Sequence, residues 1–144
     1  SIYRPLEGIV SSSTATQEHQ GLAFIRVKTV ADLNRQLQQA SMQGSPVMLD
    51  FYADWCIECI RMEENTFPQP QVRQALSGVV LLQADVTAND DEDKALLKHF
   101  NIYGPPAIMF FGEDGKERKP YRLYGYFEAD EFSDHVVRAT QSPI

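Results

Sequence analysis

The fold is decided by residues 47–59, which have the sequence Val47-Met48-Leu49-Asp50-Phe51-Tyr52-Ala53-Asp54-Trp55-Cys56-Ile57-Glu58-Cys59. The apolar run predicts a buried strand, and the polar turn after it predicts that a helix begins near Cys56. Free N–H groups at a helix N-terminus favour a thiolate, and Cys59 lies one turn further along the same face, within bonding reach. Because these are the chain's only cysteines, we predict a redox-active dithiol.

Two other interpretations of the cysteine pair stay open but are less favoured. A structural disulfide that closes so short a loop would stabilise the fold by only ~2 kcal/mol, and a chain of this length can bury a core without it. A zinc site would need two more ligands. The three histidines offer no closely spaced pair, since they stand at His19, His99 and His135.

Composition fits one soluble globular domain, with 144 residues of which 43% are hydrophobic and 23% charged. The net charge of −7 makes nucleic acids and anionic membrane surfaces unfavourable partners. No apolar stretch approaches the roughly 20 residues that a helix needs to cross a bilayer, and no signal-peptide pattern opens the chain. We therefore expect a soluble domain.

The pattern along the chain divides it into an arm and one domain. Residues 1–20 are rich in Ser and Thr and predict a linker, and residues 21–144 predict the folded domain. Strands are predicted at 22–27, 47–52, 79–85, 107–111 and 121–126, and helices at 30–44, 56–65, 71–76, from an N-cap at Asn89, and at 129–140. This order predicts an α/β fold with a central mixed sheet that helices cover on both faces.

The motifs resemble a known family. A βαβ unit with Trp-Cys-x-x-Cys, followed about 50 residues later by Gly104-Pro105-Pro106 before a strand, resembles the thioredoxin fold. The chain is more closely similar, over about residues 47–132, to the C-terminal periplasmic domains of the DsbD family of thiol:disulfide interchange proteins. That similarity is carried by residues 49–56, Glu63, Thr66-Phe67, Pro70-Gln71-Val72, 85–90 and 95–100.

The resemblance implies a thiol-disulfide reductase domain that relays electrons. Its dithiol would be reduced by a transmembrane domain of the same protein, which draws electrons from cytoplasmic thioredoxin, and would then reduce that protein's N-terminal periplasmic domain. Residues 1–20 would join it to the membrane-embedded part. It implies a monomeric periplasmic domain tethered to the inner membrane, with no cofactor beyond the Cys56–Cys59 disulfide. The alternatives are a disulfide oxidase or isomerase, and a redox-inactive binding module of the same fold.

Four side chains are expected to carry or tune the chemistry. Cys56, at the helix start, should be the nucleophile, and the deeper Cys59 should resolve the mixed disulfide. Asp50 interrupts an apolar strand, and Glu63 follows Cys59 by about one helical turn. Both match acidic positions of the family. We expect them to accept protons from Cys59 and, together with Glu58, to raise the pKa of Cys56 and make the couple more reducing.

The partner-binding surface is expected around the cysteines and Pro106. The resemblance implies that Pro106 is the family's cis-proline, which receives a partner strand. The residue before it, Pro105, has no N–H, so one backbone bond to that strand should be missing. The residues expected to contact partners are Tyr52, Trp55, Ile57, Glu58 and Pro105.

Overall fold

The computed structural model describes residues 22–141, so the predicted arm of residues 1–20 lies outside the described residues. The strands are β1 (Ile25–Arg26), β2 (Val47–Tyr52), β3 (Val80–Asp85) and β4 (Ala107–Phe111). The helices are α1 (Val30–Met42), α2 (Ile57–Arg61), α3 (Pro70–Ala75), α4 (Asp91–His99) and α5 (Ala129–Gln141). A π-helical turn, Met62–Thr66, directly follows α2, and a 3₁₀ turn lies at Lys119–Tyr121.

The four strands form one mixed sheet in the order β1-β3-β2-β4. Strands β1 and β2 run parallel to β3, whereas β4 runs antiparallel to β2. One row across the sheet is formed by Arg26 of β1, Gln83 of β3, Asp50 of β2 and Ile108 of β4. Side chains in one row share a face of the sheet, so three polar groups from separate strands are neighbours here.

Apolar side chains cover both faces of the sheet, because alternate residues of β2 point to opposite sides. One cluster joins Val47, Leu49 and Phe51 to residues of α1 and α4, including Leu33 and Leu96. The other joins Met48 to residues of α3 and α5, including Val72, Phe132 and Val136. The predicted α/β fold, a central mixed sheet flanked by helices on both faces, is confirmed.

The start of α4 differs from the prediction by one residue. The N-cap is Asp90 rather than Asn89: its carboxylate accepts the Asp93 N–H at 2.9 Å, and the Asp93 carboxylate accepts the Asp90 N–H at 3.3 Å. This reciprocal capping box satisfies two N–H groups at the start of the helix. Asn89 instead takes a left-handed conformation, with φ of 52°.

Two predicted strands differ from the structure: one is shorter than expected and the other does not form. The strand predicted at 22–27 is confined to Ile25–Arg26, an exposed edge pair. The strand predicted at 121–126 is wrong: the chain forms the 3₁₀ turn at Lys119–Tyr121 and meets the sheet through single bridges at Leu123 and Glu117. Pro120 lies within that turn, where its fixed φ suits the start of the 3₁₀ helix.

Candidate active site at the dithiol

Cys56 and Cys59 form a disulfide whose Cα atoms lie 5.3 Å apart. Cys56 is the N-cap of α2, with extended backbone angles, and its sulfur accepts a hydrogen bond from the N–H of Cys59 at 3.2 Å. The strand β2 ends at Tyr52, four residues before Cys56, and so positions Cys56 at the end of the sheet where α2 begins. A thiolate on Cys56 would keep that hydrogen bond and the favourable end of the helix dipole.

The two sulfurs differ less in exposure than the sequence predicts. Cys56 is 6% exposed and Cys59 5%, so in the disulfide form neither residue is much deeper than the other. Cys59 Sγ lies 3.6 Å from the carbonyl oxygen of Phe51 on β2. In the reduced protein, a Cys59 thiol at this distance can donate a hydrogen bond to that oxygen.

Asp50 and Glu63 are brought together by a third side chain, Gln83. The Gln83 Nε2 group donates to Asp50 Oδ2 at 3.0 Å and to Glu63 Oε2 at 3.1 Å. Asp50 is 6% exposed, whereas Glu63 is half-buried. The two carboxyl groups stand on the elements that hold Cys59, since Asp50 precedes Phe51 on β2 and Glu63 follows in the π-helical turn after α2.

Burial changes the acidity of both carboxyl groups. Desolvation raises the pKa of Asp50 to about 7; the hydrogen bond from Gln83 opposes this rise and the charge of Glu63 adds to it. Desolvation also raises the pKa of Glu63, and the hydrogen bond from Gln83 and the charge of Arg26 oppose that rise. With a pKa of about 7, Asp50 is suited to accept and return a proton at neutral pH.

Glu58 stands apart from this carboxylate pair. It is partly exposed and forms an ion pair with Arg61, with Nη1 2.7 Å from Oε1. The Arg61 guanidinium also stacks on the ring of Tyr126, 3.9 Å from its centroid. Arg61 thus offsets part of the charge of Glu58, and the expected effect of Glu58 on the dithiol stays a prediction.

Sequence reasoning missed Gln83 and Arg26. Arg26 Nε donates to Gln83 Oε1 at 3.0 Å, and its Nη1 lies 3.3 Å from Asp85 Oδ2. A signal was present, because Gln83 interrupts an apolar strand in the same way as Asp50 does. What the sequence lacks is the register that places Gln83 opposite Asp50.

Thr87 also escaped prediction, and it fixes the residues in front of the cysteines. Its hydroxyl accepts the N–H of Asp54 at 2.9 Å, and its carbonyl accepts the indole N–H of Trp55 at 3.1 Å. Tyr52 donates its hydroxyl to Asp54 at 3.1 Å. Desolvation and this hydrogen bond raise the pKa of Tyr52 to about 12, so its hydroxyl stays protonated.

An exposed apolar rim lies beside the disulfide. The peptide bond between Pro105 and Pro106 is cis, as the resemblance implies. A shallow groove is lined by Trp55, Asn101, Ile102, Tyr103, Gly104, Pro105 and Tyr124. Trp55 is 58% exposed, and Ile57 and Tyr103 are also exposed. Of the residues expected to contact partners, Trp55 and Pro105 line the groove, while the contacts themselves stay predictions.

The thioredoxin-like family model matches residues 28–113. The C-terminal domain of DsbD from Neisseria meningitidis is similar in its oxidised form, with 34% identity, a TM-score of 0.63 and coverage of 89% of this chain and 97% of that one. Its reduced form gives 36% identity and a TM-score of 0.68, with coverage of 80% and 99%. The chain belongs to the family of DsbD C-terminal domains.

The sequence relatives of this DsbD domain are longer proteins. The thiol:disulfide interchange protein DsbD of Escherichia coli K12 is 48% identical over 134 residues, which is 92% of this chain and 23% of that protein. The chain thus spans about a quarter of the length of the curated relatives it matches. Within residues 22–141, no helix is both long and apolar enough to cross a bilayer. No cluster of three or more His, Cys, Asp or Glu among these residues could hold a metal ion.

Proposed function

We propose that this domain is a thiol-disulfide reductase that relays electrons between protein partners through Cys56 and Cys59. The observation that carries the proposal is the Cys56–Cys59 disulfide at the N-terminus of α2, with Cys59 Sγ 3.6 Å from the carbonyl oxygen of Phe51, the residue that follows the buried Asp50 on β2. Membership in the family of DsbD C-terminal domains supports the same chemistry.

The reductive half-reaction uses the two sulfurs in order. The Cys56 thiolate attacks a partner disulfide, so that a Cys56–partner bond forms and the partner's own S–S bond breaks, releasing a partner thiolate. Cys59 then attacks Cys56 Sγ, which breaks the mixed disulfide and releases the second partner thiolate. Two electrons pass to the partner, its two thiolates take up protons, and this domain keeps the Cys56–Cys59 disulfide.

Asp50 and Glu63 are proposed to serve the second step. Cys59 must lose its thiol proton before it attacks, and Asp50 accepts that proton most effectively when its pKa is close to the working pH. The same carboxylates disfavour negative charge on Cys56. A less stabilised thiolate is the property of a reductant, whereas strong oxidants of this fold stabilise their reduced form.

The proposed partners come from the longer proteins that the chain resembles. A transmembrane domain of the same protein would reduce Cys56–Cys59, and its N-terminal periplasmic domain would be reduced in turn. The domain would then work in the periplasm, tethered to the inner membrane. The exposed groove that includes Trp55, Tyr103 and Pro105 is proposed to receive these partners, and the cis peptide bond to Pro106 directly follows it.

Replacement of the resolving cysteine tests this proposal. Cys59→Ser should accumulate a mixed disulfide with the N-terminal domain through Cys56, because the second step is blocked. Cys56→Ser, the matched control, should trap much less. The trapped complex is measured by non-reducing electrophoresis and mass spectrometry. Partner binding without any disulfide would indicate a redox-inactive binding module instead.

A further inference from the structure

The Gln83 side chain has each of its polar atoms engaged. It is 3% exposed, and its Nε2 group donates to Asp50 at 3.0 Å and to Glu63 at 3.1 Å. Its Oε1 atom accepts from Arg26 Nε at 3.0 Å. A primary amide has two N–H donors, and here the two point to different carboxyl groups.

Arg26 makes this orientation of the amide the favourable one. If the amide were reversed, Gln83 Oε1 would face two carboxyl groups and its NH₂ group would face a guanidinium donor. Arg26 is itself held by Asp85, 3.3 Å from its Nη1 atom. In the sheet register, Gln83 of β3 is paired with Arg26 of β1 on one side and with Asp50 of β2 on the other, so the three side chains are direct neighbours.

We propose that Gln83 is a positioning residue: its amide, oriented by Arg26, holds the Asp50 and Glu63 carboxyl groups as one unit that carries protons between Cys59 and solvent. The inference rests on the proposed function, in which Cys59 gives up a proton to Asp50. Asp50 is nearly enclosed, whereas Glu63 is half-buried and reaches solvent. A proton that arrives at Asp50 therefore leaves on the side of Glu63.

Other charged and titratable groups set the field around this unit. Arg26 of β1, Asp85 of β3 and Asp54 of the loop after β2 act on Glu63. Glu63 in turn acts on Asp50 and on the phenol of Tyr52. The β4 neighbour of Asp50 in the row is the apolar Ile108. Arg26 is the cation in this set, and Gln83 supplies the neutral donors that favour the ionised carboxylates.

Gln83→Met tests the inference, because methionine is similar in size and cannot donate. The matched control is Gln71→Met, since Gln71 Nε2 also donates to a carboxylate, Asp130, at 2.8 Å on an exposed surface. The Asp50 and Glu63 carboxyl carbons are followed by NMR across pH. We expect both titration midpoints to rise by about one pH unit in Gln83→Met and to stay unchanged in Gln71→Met.

A kinetic measurement separates a positioning role from a merely structural one. In Gln83→Met, the pH profile for release of a small mixed disulfide by Cys59 should move upward together with the carboxyl midpoints. Unchanged midpoints in a folded variant would overturn the inference. If Gln83→Met does not fold, Gln83→Asn replaces it, because asparagine keeps the amide but is too short to reach both carboxyl groups. Raised carboxyl midpoints in Gln83→Asn would then support the inference, and unchanged midpoints would overturn it. The carboxyl titrations need no partner protein, so they can succeed where trapping by Cys59→Ser fails.

Discussion

Asp50 of β2 and Glu63 of the π-helical turn accept hydrogen bonds from the same nitrogen atom, Gln83 Nε2. These two acidic groups share one donor and stand on β2 and on the turn that directly follows α2, the helix of Cys59, and they make this region negative when both are ionised. Desolvation raises the pKa of each, and that of Asp50, at about 7, leaves this group partly protonated at neutral pH. The chemistry of Cys56 and Cys59 should therefore depend on this pair.

The first prediction concerns the acidity of Cys56. Asp50→Asn should lower the pKa of the Cys56 thiol by about half a unit to one unit, since it removes a negative charge that is fully formed when Cys56 titrates. Ultraviolet absorbance of the thiolate during a pH titration measures the change. Glu113→Gln removes an exposed charge in a turn and serves as the control. An unchanged or higher pKa in Asp50→Asn would refute the electrostatic role.

The second prediction concerns stability and pH. Asp50 has a folded-state pKa of about 7, raised from its ordinary value of 3.8, so the folded protein binds a proton that the unfolded chain has lost between these limits. The contribution of Asp50 to the free energy of unfolding should then fall as pH rises from about 4 to 7 and level off above. Asp50→Asn should lack most of this fall.

At pH 8 the Asp50→Asn variant should consequently be more stable than the parent by about 2 to 4 kcal/mol. Urea unfolding of the oxidised proteins at several pH values measures the difference. Glu113→Gln should follow the parent curve. A parent protein whose stability rises from pH 4 to 7, with Asp50→Asn following it, would contradict the assignment of an uncharged buried Asp50.

The third prediction concerns the exposed groove. Tyr103→Ala should lower kcat/KM for reduction of the N-terminal domain by about tenfold, because aromatic side chains at the centre of an interface contribute most to binding. The reduction potential and the Cys56 pKa should not change. Tyr124→Ala tests the other side of the groove, and Met42→Ala, at an exposed residue of α1, is the control. Equal rates for all three variants would place the partner elsewhere.

The sequence predicted what depends on local pattern. The apolar run of β2 and the polar turn after it placed Cys56 at the start of a helix, and the motifs around it indicated the family. Predictions failed where neighbouring residues compete. Asn89 and Asp90 both suit an N-cap, and each has an acidic residue three positions on; the left-handed backbone of Asn89, with φ of 52°, leaves the cap to Asp90. The strand expected at 121–126 gave way to a turn around Pro120.

Some residues of the site could not be predicted because they meet only through the pairing of distant strands. Asp50 and Glu63 could be named because each lies near the cysteines along the chain. Gln83 and Arg26 join them only through the register of parallel strands, and no local pattern specifies that register. The offset of Glu58 by Arg61 likewise depends on side-chain packing beyond the motif.

The reduction potential of the Cys56–Cys59 couple tests the central claim most directly. It is measured by equilibration in redox buffers, followed by alkylation of free thiols and mass spectrometry. A reductase relay predicts a potential of roughly −200 to −270 mV, in the range of reducing members of the fold. A value near about −120 mV would indicate a disulfide oxidase, and the absence of a reversible couple would leave only a binding module; either result would contradict the proposed relay.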